Sequence, residues 1–92
     1  MIASIQHKGL RLFFESGKQT GIQPWHARRL RMMLAALDSA HVIADMDLPG
    51  FRLHALKGLI PQRWSVSVSG NWRITFEFRN GNAYVVDYED YH

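Results

Sequence analysis

The chain has no cysteine, so neither a disulfide nor a thiolate-ligated metal can brace it, and a reducing interior is its natural setting. No stretch approaches the roughly 20 consecutive apolar residues that span a bilayer, and the opening Met1-Ile2-Ala3-Ser4-Ile5-Gln6-His7-Lys8 lacks the apolar run of an export signal. The expectation is a cytoplasmic protein, neither exported nor membrane-embedded. Repeats, low-complexity tracts and linkers are absent. So are a phosphate-binding glycine loop, a nucleophile elbow and zinc-ligand spacing. Acid is scarce where base is plentiful. Lys8, Arg11, Lys18, Arg28, Arg29 and Arg31 face only Glu15 in the first 37 residues, and Arg52, Lys57, Arg63, Arg73 and Arg79 face only Glu77 between 51 and 79. The remaining acids are Asp38, Asp45 and Asp47 in the middle and Asp87, Glu89 and Asp90 at the end. With a net charge of only +3, this segregation is what points to a polyanionic partner, although a basic face also serves solubility.

With 92 residues and 47% hydrophobic content, residues 1–92 form a single domain, since so short a chain buries only about 60–65% of its unfolded surface. Leu10, Phe13 and Phe14 at helical spacing, closed by Gly17, predict a short helix near 8–16. Pro24 suits the first turn of a second helix, with Ala27, Leu30, Leu34 and Leu37 as its apolar stripe and Arg28, Arg29 and Arg31 on a wet face. Residues 39–50 read as a helical turn followed by a loop ending at Pro49-Gly50. From Phe51 the period becomes two. Trp64, Val66 and Val68 alternate with serines, and after Gly70-Asn71 the residues Trp72, Ile74, Phe76 and Phe78 alternate with Arg73, Thr75, Glu77 and Arg79. Asn80-Gly81 is a tight-turn signal leading to a last strand through Ala83–Asp87. The class is α+β: two helices on one face of a small antiparallel sheet, with Arg73, Thr75 and Glu77 lining the opposite, open face.

RNA carries its own nucleophile, the 2′-OH, so cleaving it takes two proton handlers and one or two fixed cations. Histidine, with a reference pKa of about 6.5, suits the first task and arginine or lysine the second. The chain offers His54 and Lys57 in Arg52-Leu53-His54-Ala55-Leu56-Lys57-Gly58, Arg73 in Asn71-Trp72-Arg73-Ile74-Thr75, and the terminal Tyr88-Glu89-Asp90-Tyr91-His92. Each has a plainer reading: a structural histidine, a strand-end lysine, a solvated Arg73 paired with Glu77, and a frayed tail. Asp87, Glu89 and Asp90 could hold a magnesium ion, and His41 with Asp45 is a weaker metal candidate. His7 and His26 read as surface residues, and the three tryptophans as core and hairpin anchors rather than base-stacking platforms.

Together the stretches from Arg52 to Gly58, Trp64-Ser65-Val66, from Asn71 to Phe76 and from Tyr88 to His92 resemble the HigB toxins, a branch of the RelE-like toxin superfamily. The likeness runs from Ile2 to the last residue. It implies a RelE-like fold and a toxin that enters the ribosomal (30S) A site and cleaves translated mRNA with neither metal nor cofactor. It also implies restraint by a HigA-like antitoxin, through which any contact with DNA would be indirect. The family's active positions map onto His54, Lys57, Arg73, Asp90, Tyr91 and His92, all of matching type. Lys57 and Arg73 would stabilise the pentavalent phosphate, His54, Asp90 and His92 would divide proton transfer and its orientation, and Tyr91 would position or stack on a nucleotide. Leu59-Ile60-Pro61-Gln62 is less polar than the family's loop at that place. Lys8, Arg11, Arg28, Arg29 and Arg31 are candidates for ribosomal RNA contact. The alternatives are a non-catalytic RNA- or ribosome-binding module, or a relative that only titrates an antitoxin.

Overall fold

Helix α1 (Lys8–Ser16) starts where the His7 imidazole accepts the Leu10 N–H at 3.0 Å and stops at Gly17, whose φ of 79° lets its N–H reach the Phe13 carbonyl at 2.8 Å. The structure is a computed structural model and describes residues 1–91. Pro24 opens a 3₁₀ turn, Pro24–His26, that runs straight into helix α2 (Ala27–Ser39), which buries Ala27, Leu30, Met33, Leu34 and Leu37. A second 3₁₀ turn, Ile43–Met46, drops Met46 into the core before the chain enters the sheet.

The sheet comprises β1 (His54–Leu56), β2 (Arg63–Ser69), β3 (Trp72–Arg79) and β4 (Asn82–Asp90), in that order and antiparallel throughout. Short turns allow nothing else. Asn80 and Gly81, at φ 54° and 76°, make the tight turn between β3 and β4. One face, carrying Val66, Val68, Ile74, Phe76, Val86 and Tyr88, packs under the helices around Leu10, Leu30, Met33 and Leu37. Two features were not anticipated. The last strand runs three residues beyond Asp87, so Asp90 is paired with Trp72 rather than frayed. The N-terminal segment covers the free edge of β4, with parallel bridges from Ile2 to Ala83 and Ile5 to Val86.

Candidate active site

Side chains on the sheet face away from the helices stand in rows set by the register. His54, Ser65, Thr75 and Asp87 form one row; Ser67, Arg73 and Glu89 form the next toward the β2–β3 turn. Arg63, Glu77 and Tyr84 form a third on the other side. Serine at 65 and 67 leaves space that larger residues would fill. The result is a depression of about 400 Å³ lined by Arg52, His54, Leu56, Ser65, Arg73 and Tyr91.

Arg73 is held firmly. Its Nη1 donates to the carbonyls of Gly70 at 2.7 Å and Trp72 at 3.1 Å and to Ser67 Oγ at 3.2 Å. One edge of the guanidinium is thereby fixed to backbone, a geometry that leaves the other edge for a planar anion. The plainer expectation of an Arg73–Glu77 pair is not met: Glu77 is engaged by Arg79 at 2.8 Å and Arg63 at 3.6 Å. Tyr91 is anchored by its backbone, with the N–H donating to the Asn71 carbonyl at 2.8 Å, while the residue as a whole remains 40% exposed and lines the depression. Burial, then the negative charge of Glu89, raises the Tyr91 hydroxyl pKa against the opposing pull of Arg63 and Arg73, with Asp87 adding a smaller upward push. It is therefore a proton-bearing donor at neutral pH.

A polar network supports the floor. Thr75, fully buried although it belongs to the open face, donates its hydroxyl to the Glu89 carboxylate and accepts from Arg63 Nη2 at 3.0 Å. The same nitrogen also donates to the Val85 carbonyl at 2.9 Å. Val85 has a φ of 50°, a strained value for a β-branched residue, and sits where β4 carries one extra residue opposite β3. Arg63 thus satisfies the carbonyl that this bulge turns out of the ladder.

On the opposite face, Tyr88 stacks on Trp72 with ring centres 4.6 Å apart, and its hydroxyl lies 2.5 Å from His26 Nδ1 and accepts the Gln23 N–H at 3.4 Å. Burial of the phenol, as the largest influence, raises the Tyr88 pKa, and burial lowers that of His26. The surface reading of His26 is therefore corrected. It is 3% exposed, because the 3₁₀ turn swings it under Tyr88, which supplies the partner a buried imidazole needs. His7 is half-buried, its ring edge-on to Tyr88 at 5.3 Å. Trp25 is corrected in the opposite sense: it is 74% exposed, whereas Trp64 and Trp72 pack against the core.

Of the six positions singled out, His54, Arg73 and Tyr91 share the depression. Lys57 lies in the exposed turn after β1, outside the lining. Asp90 alternates to the side of Tyr88, whose hydroxyl it influences electrostatically, and His92 lies outside the described residues. Arg52 and Ser65 were missed as lining residues; Ser65 could have been found from period-two alternation, but nothing local announces the turned backbone at Arg52, with its φ of 52°. Lys8, Arg11, Arg28 and Arg31 are exposed as expected. Arg29 is not on the wet face: its Nη2 ties α2 to the Gly50 carbonyl at 2.7 Å and the Ser67 carbonyl at 3.0 Å.

Neither metal alternative finds its geometry. Asp45 accepts the His41 and Val42 N–H groups at 2.8 and 3.2 Å, and these bonds hold its carboxyl below the usual range. Asp87 accepts from Gln6 at 3.3 Å and from the Tyr88 N–H at 2.9 Å, Glu89 is engaged by Thr75, and among the described residues no three His, Asp or Glu side chains converge.

Comparison with known proteins agrees with the fold. The endoribonuclease HigB of Proteus vulgaris is 46% identical over 92 residues, covering 100% of both chains. The family model described as RelE-like toxin of type II toxin-antitoxin system HigB matches residues 3–92. With two helices over a four-stranded antiparallel sheet, the α+β architecture expected of a RelE-like fold, the chain belongs to the HigB-like toxin family.

Proposed function

We propose that this toxin is an endoribonuclease that cleaves mRNA in the ribosomal A site by attack of the RNA's own 2′-OH, without a metal. One observation carries the reading: His54 from β1, Arg73 from β3 and Tyr91 just beyond β4 line a single depression with a cationic wall. The 46% identity to a protein named an endoribonuclease supports it.

In the reaction the 2′-oxygen loses its proton and bonds to the adjacent phosphorus. The bond to the 5′-oxygen breaks and that oxygen takes up a proton, leaving a 2′,3′-cyclic phosphate and a 5′-hydroxyl. Arg73, pinned by three acceptors, binds the non-bridging oxygens as charge builds on them, and because it is already oriented it needs little reorganisation. Lys57 adds a second cation from the adjoining turn. His54 and His92 handle protons and Tyr91 donates to or stacks on the nucleotide, while Asp90, on the Tyr88 side of β4, contributes to orientation from behind the depression rather than from within it. Lys8, Arg11, Arg28 and Arg31 are exposed cations suited to sequence-independent ribosomal RNA contact.

The partners in this reading are a HigA-like antitoxin, the ribosome and its mRNA, with DNA reached only through the antitoxin, and the compartment is the cytoplasm. The test is a translation reaction with purified toxin in which mRNA ends are mapped. Cleavage within ribosome-occupied codons is expected. Intact mRNA on ribosomes that demonstrably bind the toxin would overturn the proposal.

A further inference from the structure

Arg52 stands between two anchored neighbours. Phe51 is 2% exposed in the core, and its carbonyl accepts the Ser67 N–H at 2.7 Å; Leu53 packs against the same core. Holding both neighbours while the chain changes direction requires the φ of 52° at Arg52, a left-handed conformation uncommon outside glycine, asparagine and aspartate. The exposed side chain joins the lining of the depression. The bond from Ser67 to Phe51 also sets its level. Ser67 pairs with Arg73 on the next strand and accepts from its Nη1. Arg52 and Arg73 therefore flank β2 on opposite sides of a floor of small serines, two strand spacings or about 10 Å apart.

The two arginines differ in one decisive respect. Arg73 has three acceptors within the protein, whereas Arg52 has no hydrogen bond or ion pair with any described residue. A fixed guanidinium suits the phosphorus at which bonds change; an untethered one across the floor suits a neighbouring phosphate that does not react.

We propose that Arg52 is a substrate-binding residue that holds the RNA phosphate next to the scissile one. The proposal rests on the RNA-cleavage reading above and adds a binding position to it. Such a contact is equally strong before and during the reaction, so it lowers the concentration needed for half-maximal rate without raising the saturated rate.

The experiment measures cleavage of ribosome-bound mRNA by wild-type, Arg52→Ala and Arg52→Lys proteins over a range of toxin concentration. The RNAs carry one neutral methylphosphonate, walked through positions around the cut, each within a 2′-deoxy nucleotide, with the matching 2′-deoxy phosphate as reference. Arg52→Ala should raise the half-saturating concentration about 10-fold, with Arg52→Lys recovering most of it and the saturated rate changing less than about 3-fold. At one position adjacent to the cut, neutralising the phosphate should weaken wild type by the same factor and leave Arg52→Ala unaffected. Arg52→Gly, which accepts the native φ, replaces Arg52→Ala if that variant does not fold.

An Arg52→Ala protein indistinguishable from wild type would overturn the proposal. So would multiplicative effects of variant and neutral linkage at every position, or a loss confined to the saturated rate. Failure of wild type to cut any of the reference RNAs would instead overturn the cleavage reading, and this inference with it.

Discussion

The Tyr88 hydroxyl lies 2.5 Å from Nδ1 of His26, joining the turn that opens α2 to the strand that ends at Asp90. Stacked on Trp72 as well, Tyr88 fixes β4 from behind, three residues before Tyr91 enters the site. Replacing Tyr88 by Phe leaves the buried imidazole without its partner and should destabilise the protein by about 1–3 kcal/mol, read as a lower urea midpoint with unchanged slope.

The same pair makes stability depend on pH. Burial lowers the His26 pKa, so between that lowered value and about 6.5 the unfolded chain binds more protons than the folded one, and stability rises with pH through this window. The contribution is complete above about 6.5 and is lost as pH falls through the folded pKa. Urea midpoints at pH 7 and pH 5 should therefore differ more in wild type than in His26→Gln; equal differences would remove His26 as the cause.

These two relationships mark the boundary of what the sequence revealed. Period-two alternation placed Arg73 and Thr75 on the face opposite Ile74 and Phe76, and helical spacing found the buried stripe of α2, because each signal depends on neighbours along the chain. The burial of His26 depends on Tyr88, 62 positions away, and the αL backbone of Arg52 on Phe51 and Leu53 being held in place. Arg29 was misplaced for a similar reason: its guanidinium is drawn inward by carbonyls of Gly50 and Ser67 that no periodicity within α2 reports. The motifs singled out six positions, but nothing along the chain reports that three of them, His54, Arg73 and Tyr91, line one depression.

Arg73→Ala should lower the saturated cleavage rate about 10²–10³-fold with little change in half-saturating concentration, as expected for a group that meets charge only as it develops. Arg73→Lys keeps the charge but loses the fork that spans backbone and phosphate, and should recover only part of the rate. Mapped-end yields over time distinguish the two. A change confined to half-saturation would move Arg73 out of the transition state.

Thr75→Val preserves shape but removes the hydroxyl shared by Arg63 and Glu89. We expect a stability loss of about 1–3 kcal/mol, together with slower cleavage because the wall bearing Glu89 is released. Thr75→Ser should restore most of both. Parallel urea unfolding and cleavage assays check this, and a fully stable Thr75→Val would show that the network is dispensable.

The Tyr91 hydroxyl pKa is raised above its ordinary value of about 10, so its ionisation should leave no step in the cleavage rate between pH 7 and 9. The profiles of wild type and Tyr91→Phe should have the same shape over that range, with Tyr91→Phe uniformly slower if the hydroxyl donates to the nucleotide. An alkaline fall present only in wild type would assign a titration to Tyr91 and contradict the direction of its shift.

The most direct measurement replaces the single nucleotide whose 2′-OH attacks, at the mapped cut in a ribosome-bound mRNA, by its 2′-deoxy form. Wild-type toxin should stop cutting at that position while still cutting an all-ribose control, and the control's upstream fragment should end in a 2′,3′-cyclic phosphate. Continued cutting at the 2′-deoxy position would contradict attack by the RNA's own hydroxyl, and with it the proposed roles of His54, Arg73 and Tyr91.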